Sequence, residues 1–194
     1  MAVHLTKIYT RTGDDGTTAL SNFERVPKND ARLIAYAECD EANCAIGQVL
    51  ALGDPPEEIV GVLRRIQNEL FDAGADLATP IEESPKYPPL RVAQSYIDGL
   101  ECDCDRFNAD LPSLNSFILP GGTPAAALLH TARVIARRAE RAAWVAVEKH
   151  PDTTSVLPAR YLNRLSDLLF ILGRVANNGD DVPWVPGSGR HDGR

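Results

Sequence analysis

The chain has 194 residues, 44% of them hydrophobic and 24% charged, with a formal net charge of -7. That length and balance suit one globular domain able to bury its own core. The acidic excess argues against a general nucleic-acid binder, which needs a broad positive field, and the lack of any run of about 18 apolar residues argues against a membrane span.

The N-terminus has no apolar stretch of the signal-peptide kind, so the expected location is the cytoplasm. Cys39, Cys44, Cys102 and Cys104 form no CxxC pair and no zinc-type Cys/His set. They read as free thiols of a reducing compartment. His4, His130, His150 and His191 follow no HExxH or ExxH pattern, so no metal site built from protein side chains is expected.

Residues 1–28 read as an extended polar arm. Inside it, YTRTGDDGTTAL (9–20) crowds glycine, aspartate and threonine together. It is sound turn chemistry, because glycine reaches positive φ and aspartate makes local turns. It is not a Walker loop, since no GxxxxGK[ST] is present. Gly13 and Gly16 would nevertheless let a backbone approach phosphates, with Thr10, Thr12, Thr17 and Thr18 supplying hydroxyls and Lys7 and Arg11 charge. Asp14 would suit ribose, the loop itself, or a water of hydrated Mg²⁺.

A first helix follows, capped by Asn29 or Asp30 and ending at LGDPP (52–56). Leu33, Tyr36, Ala37, Asp40, Cys44 and Gly47 are expected on one broad face, which makes Asp40 a part-buried acid in search of an arginine. A second helix carries Ile59, Val62, Leu63, Ile66, Leu70 and Ala73 at helical spacing. After a proline-rich loop, a third runs from about Leu90 to Asn108. FILPGG (117–122) then leads into a long helix over 123–149, capped by Thr123, about 40 Å in length at ~1.5 Å per residue. There Arg133, Arg137 and Arg141 recur at i, i+4 and i+8 with Arg138 and Glu140 beside them, either a solvated face or an anion site of forked donors. A last helix turns Leu162, Leu165, Leu169 and Leu172 inward and leaves Asn163, Arg164 and Asp167 off that stripe. The Pro- and Gly-broken segment 178–194 reads as a mobile tail. The sum is a single all-α domain over 1–194: a five-helix bundle (29–177) with an N-terminal arm and no convincing strand.

TRTGDDGTT, ECDEAN, FILPGGT, ARVIARRAER and YLNRLSDLLF, in that order and spacing from about Lys7 to Asn177, resemble the PduO-type ATP:cob(I)alamin adenosyltransferases. The resemblance implies a homotrimer with active sites between subunits. ATP, with Mg²⁺, would give its 5′-deoxyadenosyl group to Co(I) of cobalamin, leaving adenosylcobalamin and triphosphate. It assigns nucleotide binding to Thr10, Arg11, Thr12, Gly13, Asp14, Gly16, Thr18 and Lys28, and to Arg137, Glu140, Arg141 and Asn163 on the helices. Arg137 would hold the triphosphate for transfer, Asp40 and Arg133 would pair across the subunit interface, and Phe117 would occupy the lower face of the corrin. Asp15 stands where many members carry a basic residue. A corrinoid reductase and an adenosylcobalamin-dependent acceptor enzyme are the implied partners, with no role for nucleic acid or membrane. The rival readings are a non-catalytic ATP sensor or adenosylcobalamin carrier, an interaction protein whose arginines meet an acidic partner, and a ferritin-like metal bundle.

Overall fold

Asp30 begins the helical body. Its carboxylate accepts the Arg32 N–H at 2.8 Å and caps α1, Ala31–Leu52. In the computed structural model, which describes residues 9–85 and 87–187, four more helices follow: α2 (Glu57–Leu77), α3 (Gln94–Asn108), α4 (Pro124–Lys149) and α5 (Leu157–Ala176). Thr123 caps α4 by accepting the Ala126 N–H at 3.2 Å, and Pro124 sits in the first turn, where its missing N–H costs nothing.

The all-α bundle agrees with the sequence reading, with two exceptions. The arm contains a two-stranded antiparallel hairpin, β1 (Thr17–Ala19) paired with β2 (Arg25–Pro27). Strands of three residues leave too little alternation to be read from sequence. The third helix also begins four residues later than expected. Residues 90–93 are extended because Arg91 donates to Asp76 Oδ1 at 2.6 Å and the Val92 N–H to Asp76 Oδ2 at 2.9 Å.

α4 is the central element, packed between α1 and α5, with α2 beside α1 and α3 beside α5. Ala125, Ala132, Ala136, Ala139, Ala143 and Ala146 are all buried on it, and their small side chains let both neighbours approach closely. The predicted stripes of α2 and α5 are buried as expected.

The predicted face of α1 is not the buried one. Ala35, Cys39, Ala42, Ile46 and Val49 face the core, while Ala37, Asp40 and Cys44 are exposed. α1 is apolar on more than one side, so periodicity alone does not choose between its faces. Asp40 is therefore a surface acid, not a part-buried one.

His130 is a buried polar residue between α4 and α5. It is 3% exposed, with neither ring nitrogen hydrogen-bonded among the described residues and Phe170 edge-on to its ring. Burial first, and then the Arg133 charge, lower its pKa below the usual histidine value, against an opposing pull from Asp181. The folded state therefore keeps it neutral while the unfolded state protonates near pH ~6.5. Its stability contribution is full above that pH and is lost as pH falls through it. Wild type should lose more of its urea midpoint between pH 7.5 and 5.5 than His130→Leu; equal losses would contradict this.

Candidate functional site

The arm forms a tight loop. The Asp14 N–H reaches Arg11 O at 3.4 Å, the Gly16 N–H reaches Gly13 O at 3.2 Å, and Lys28 N–H closes on Gly16 O at 2.9 Å. Arg11 is held at φ 63°, a left-handed conformation costly for a side-chain residue and typical of functional loops. A Cβ on Gly13 would stand 3.0 Å from Lys28 Cε and Nζ and 3.1 Å from Thr17 O, so the glycine lets a lysine ammonium lie across the turn. The loop thus offers a cation, the hydroxyls of Thr10 and Thr12, bonded to each other at 2.9 Å, and the Gly13 N–H, which has no hydrogen-bond partner among the described residues, an arrangement suited to an anion. Lys7 and His4 lie outside the described residues, as does His191.

Arg133 and Arg137 of α4, with Ser166, Asp167, Phe170 and Ile171 of α5, line a cavity of about 230 Å³. The Nε of Arg133 is buried without a hydrogen-bond partner among the described residues. Burial and the neighbouring Arg137 charge lower its pKa from the ordinary arginine value. Such a guanidinium lacks an anion. Arg137 makes no ion pair among the described residues. Further along the helix, Glu140 Oε1 accepts from Asn163 Nδ2 at 3.1 Å and from Trp144 Nε1 at 3.4 Å, which joins α4 to α5 at the edge of the arginine stripe. Arg138 belongs to a different face. It pairs with Glu38 (2.6 Å) and Glu41 of α1, and those bonds, Glu41 first, raise its pKa.

No hydrogen bond or ion pair joins the arm to Arg133, Arg137, Glu140, Arg141 or Asn163 among the described residues. The sequence-predicted nucleotide residues therefore form two groups in one chain. The cavity at Arg137 is also smaller than the roughly 300 Å³ at which ligand pockets begin.

Phe117 is 79% exposed. Its segment is held by the stretch after Asn177, for which a mobile tail was expected: Trp184 N–H donates to Phe117 O at 2.7 Å, Leu119 N–H to Val182 O at 2.8 Å and Ser116 Oγ to Trp184 O at 2.8 Å. A buried ion pair, Arg174 Nε to Asp181 Oδ2 at 2.7 Å, anchors that stretch to α5. Asn177 ties in the other side by accepting the Thr123 N–H at 2.9 Å and donating to Gly121 O at 3.1 Å. Gly122, at φ 100°, leaves the room this needs: a Cβ there would lie 2.1 Å from Asn177 Oδ1. Trp184 stands with its ring centroid 6.2 Å from that of Phe117. The sequence reading missed Trp184; a tryptophan between prolines in a polar segment was the available signal.

Asp40 sits in a groove of about 450 Å³ with Tyr36, Ala37, Leu70 and Phe71, whose ring is 68% exposed. An acid beside a bare aromatic is the complement of the Arg133 and Phe170 cavity.

A family model for cobalamin adenosyltransferase matches residues 8–176. A corrinoid adenosyltransferase of Mycobacterium bovis is 70% identical over 98% of both chains. One from Bacillus subtilis is 42% identical over 88% of this chain and 86% of its own. A variant PduO-type ATP:corrinoid adenosyltransferase from Lactobacillus reuteri, complexed with cobalamin and ATP, superposes with a TM-score of 0.84 at 35% identity, over 92% of this chain and 99% of that one.

Proposed function

The chain belongs to the cobalamin adenosyltransferase family, and from that premise we infer that it transfers the 5′-deoxyadenosyl group of ATP to Co(I) of a reduced corrinoid. The cobalt electron pair attacks C5′, a Co–C bond forms, and the C5′–O bond breaks with triphosphate leaving. Co(I) is already a strong nucleophile, so the protein need not supply a general base. Its tasks are to position C5′ and to neutralise the leaving group.

Arg137 carries the second task in this reading. It is a permanently charged fork lining a cavity, with no carboxylate partner of its own among the described residues. Arg141, Glu140 and Asn163 extend the nucleotide surface along α4 and α5. The arm supplies Thr10, Arg11, Thr12, Gly13, Gly16, Thr18 and Lys28. Mg²⁺, held chiefly by the ATP phosphates, adds charge neutralisation. Asp14 fits a water of its hydration shell, being exposed and making no side-chain hydrogen bond among the described residues. Phe117 and Trp184 form the apolar shelf for the corrin.

The arm of one subunit and the arginine stripe of the next make one site, which requires a ring of heterologous contacts closing as a homotrimer. The unpaired Arg133 donor and the exposed Asp40 and Phe71 groove support that reading. Wild type should sediment near three times its 21.1 kDa chain mass. Asp40→Ala should shift it toward monomer and lower turnover at micromolar protein. A wild-type monomer at that concentration would overturn the shared site.

A reductase delivering the electron to Co(II) and an acceptor enzyme taking adenosylcobalamin are the partners this chemistry requires. The free state of Cys39, Cys44, Cys102 and Cys104 fits a reducing compartment such as the cytoplasm, and no helix of the described residues is long and apolar enough to cross a membrane. The deciding experiment mixes the protein anaerobically with cob(I)alamin, ATP and Mg²⁺, then follows alkylcobalamin and triphosphate. Binding of both ligands without triphosphate release would instead favour a carrier.

A further inference from the structure

The arm contains an ion pair that the nucleotide assignments leave unused. Arg25 of β2 reaches across the hairpin to the glycine turn. Its Nη2 donates to Thr12 O at 2.8 Å and to Asp15 Oδ1 at 3.3 Å, and it lies closest of all to Thr17 Oγ1. Asp15 Oδ1 also accepts the Thr17 N–H at 3.0 Å and the Thr17 hydroxyl at 2.8 Å. Those two Thr17 bonds are the larger reasons that the Asp15 carboxyl lies below its ordinary value, with Arg25 a lesser one. The carboxylate is thereby committed to the turn, and its charge is matched.

The other two Arg25 nitrogens, Nη1 and Nε, have no partner among the described residues, and the side chain is 46% exposed. Lys28 approaches the same turn at Gly13. Two cations from one short segment therefore flank a turn that carries two adjacent carboxylates, Asp14 and Asp15. A triphosphate bears up to four negative charges, so a turn of that composition binds it only if its own acids are screened.

We propose that Arg25 is a binding residue for ATP: anchored by Asp15, it fixes the Thr12–Thr17 turn around the triphosphate and turns its two unengaged nitrogens toward the phosphates. This rests on the reading of the arm as the nucleotide loop. Asp15 in this arrangement is the anchor of a cation, which explains how an acid can stand next to Asp14 in such a loop.

The test measures ATP affinity by equilibrium dialysis and, separately, steady-state transfer from ATP to chemically reduced cob(I)alamin. Arg25→Met should weaken ATP binding about tenfold and raise KM for ATP in step, with kcat changed by less than about threefold and KM for the corrinoid unchanged. Asp15→Asn, which removes the anchor but keeps the cation, should cost less. Asp15→Lys added to Arg25→Met returns a cation to the turn and should restore most of the lost affinity, which a merely structural role would not allow. Unchanged ATP affinity in Arg25→Met, or a defect that Asp15→Lys leaves in place, overturns the assignment. Wild type that binds ATP without transferring the adenosyl group overturns the catalytic reading alone, and the affinity ratios still decide Arg25.

Discussion

Arg137→Ala is expected to lower kcat for adenosyl transfer by about 10²–10³, the loss typical of removing one preorganised donor from developing negative charge. In the proposed site the ground-state triphosphate is shared among the arm, Mg²⁺ and α4, so ATP binding should weaken far less than turnover. In the transition state the C5′–O bond breaks and fresh charge gathers on the α-phosphate oxygen. An interaction that strengthens at that moment reads out in kcat. Arg137 suits the role because no salt bridge among the described residues consumes it, whereas neighbouring Arg138 is held by Glu38 and Glu41. Arg137→Lys retains a point charge without the planar fork and should fall between wild type and alanine. Single-turnover rates with saturating ATP and cob(I)alamin separate chemistry from binding. An alanine variant within threefold of the wild-type rate would remove Arg137 from the reaction.

The sequence made the helices legible where one face alone is apolar. α2 and α5 carry clean stripes, and α4 announces itself through Thr123, Pro124 and its alanines. α1 defeated the same method, because apolar residues surround it, which is what the proposed subunit contact would ask of its exposed face. Asp40 is thus expected near the core when it is exposed, whereas Tyr36 is half-buried against the core. The arginine stripe was visible as a stripe, but its division of labour was not. Arg138 is set apart from Arg133 and Arg137 by two carboxylates of α1, Glu38 and Glu41, about a hundred residues away in sequence. Asp15 shows the same limit at short range. Its partner Arg25 is ten residues distant and becomes adjacent only because β1 pairs with β2.

Phe117→Ala should spare ATP binding and abolish the four-coordinate Co(II) state of the bound corrinoid. Reducing Co(II) to Co(I) is unfavourable while an axial ligand remains, so the protein must exclude that ligand with something apolar. Phe117 exposes 79% of its surface, which makes sense for a ring that awaits a second apolar surface. In the proposed function the corrin supplies one. Burying a phenylalanine ring gives roughly 1.5–3 kcal/mol, so Co(II)-dependent turnover should fall about 10- to 100-fold. Transfer from chemically prepared cob(I)alamin, which has no lower ligand to lose, should fall much less. The shelf is braced: Trp184 packs on Phe117, and the buried Arg174–Asp181 pair fixes the segment that carries it. Asp181→Asn should therefore give a weaker version of the same phenotype, since it loosens Trp184 without removing the ring that faces the corrin. Low-temperature absorption and magnetic circular dichroism of the bound Co(II) corrinoid report the coordination number directly. Spectra of Phe117→Ala identical to wild type would show that the ligand is excluded by other residues, and Trp184 would then be the first to replace.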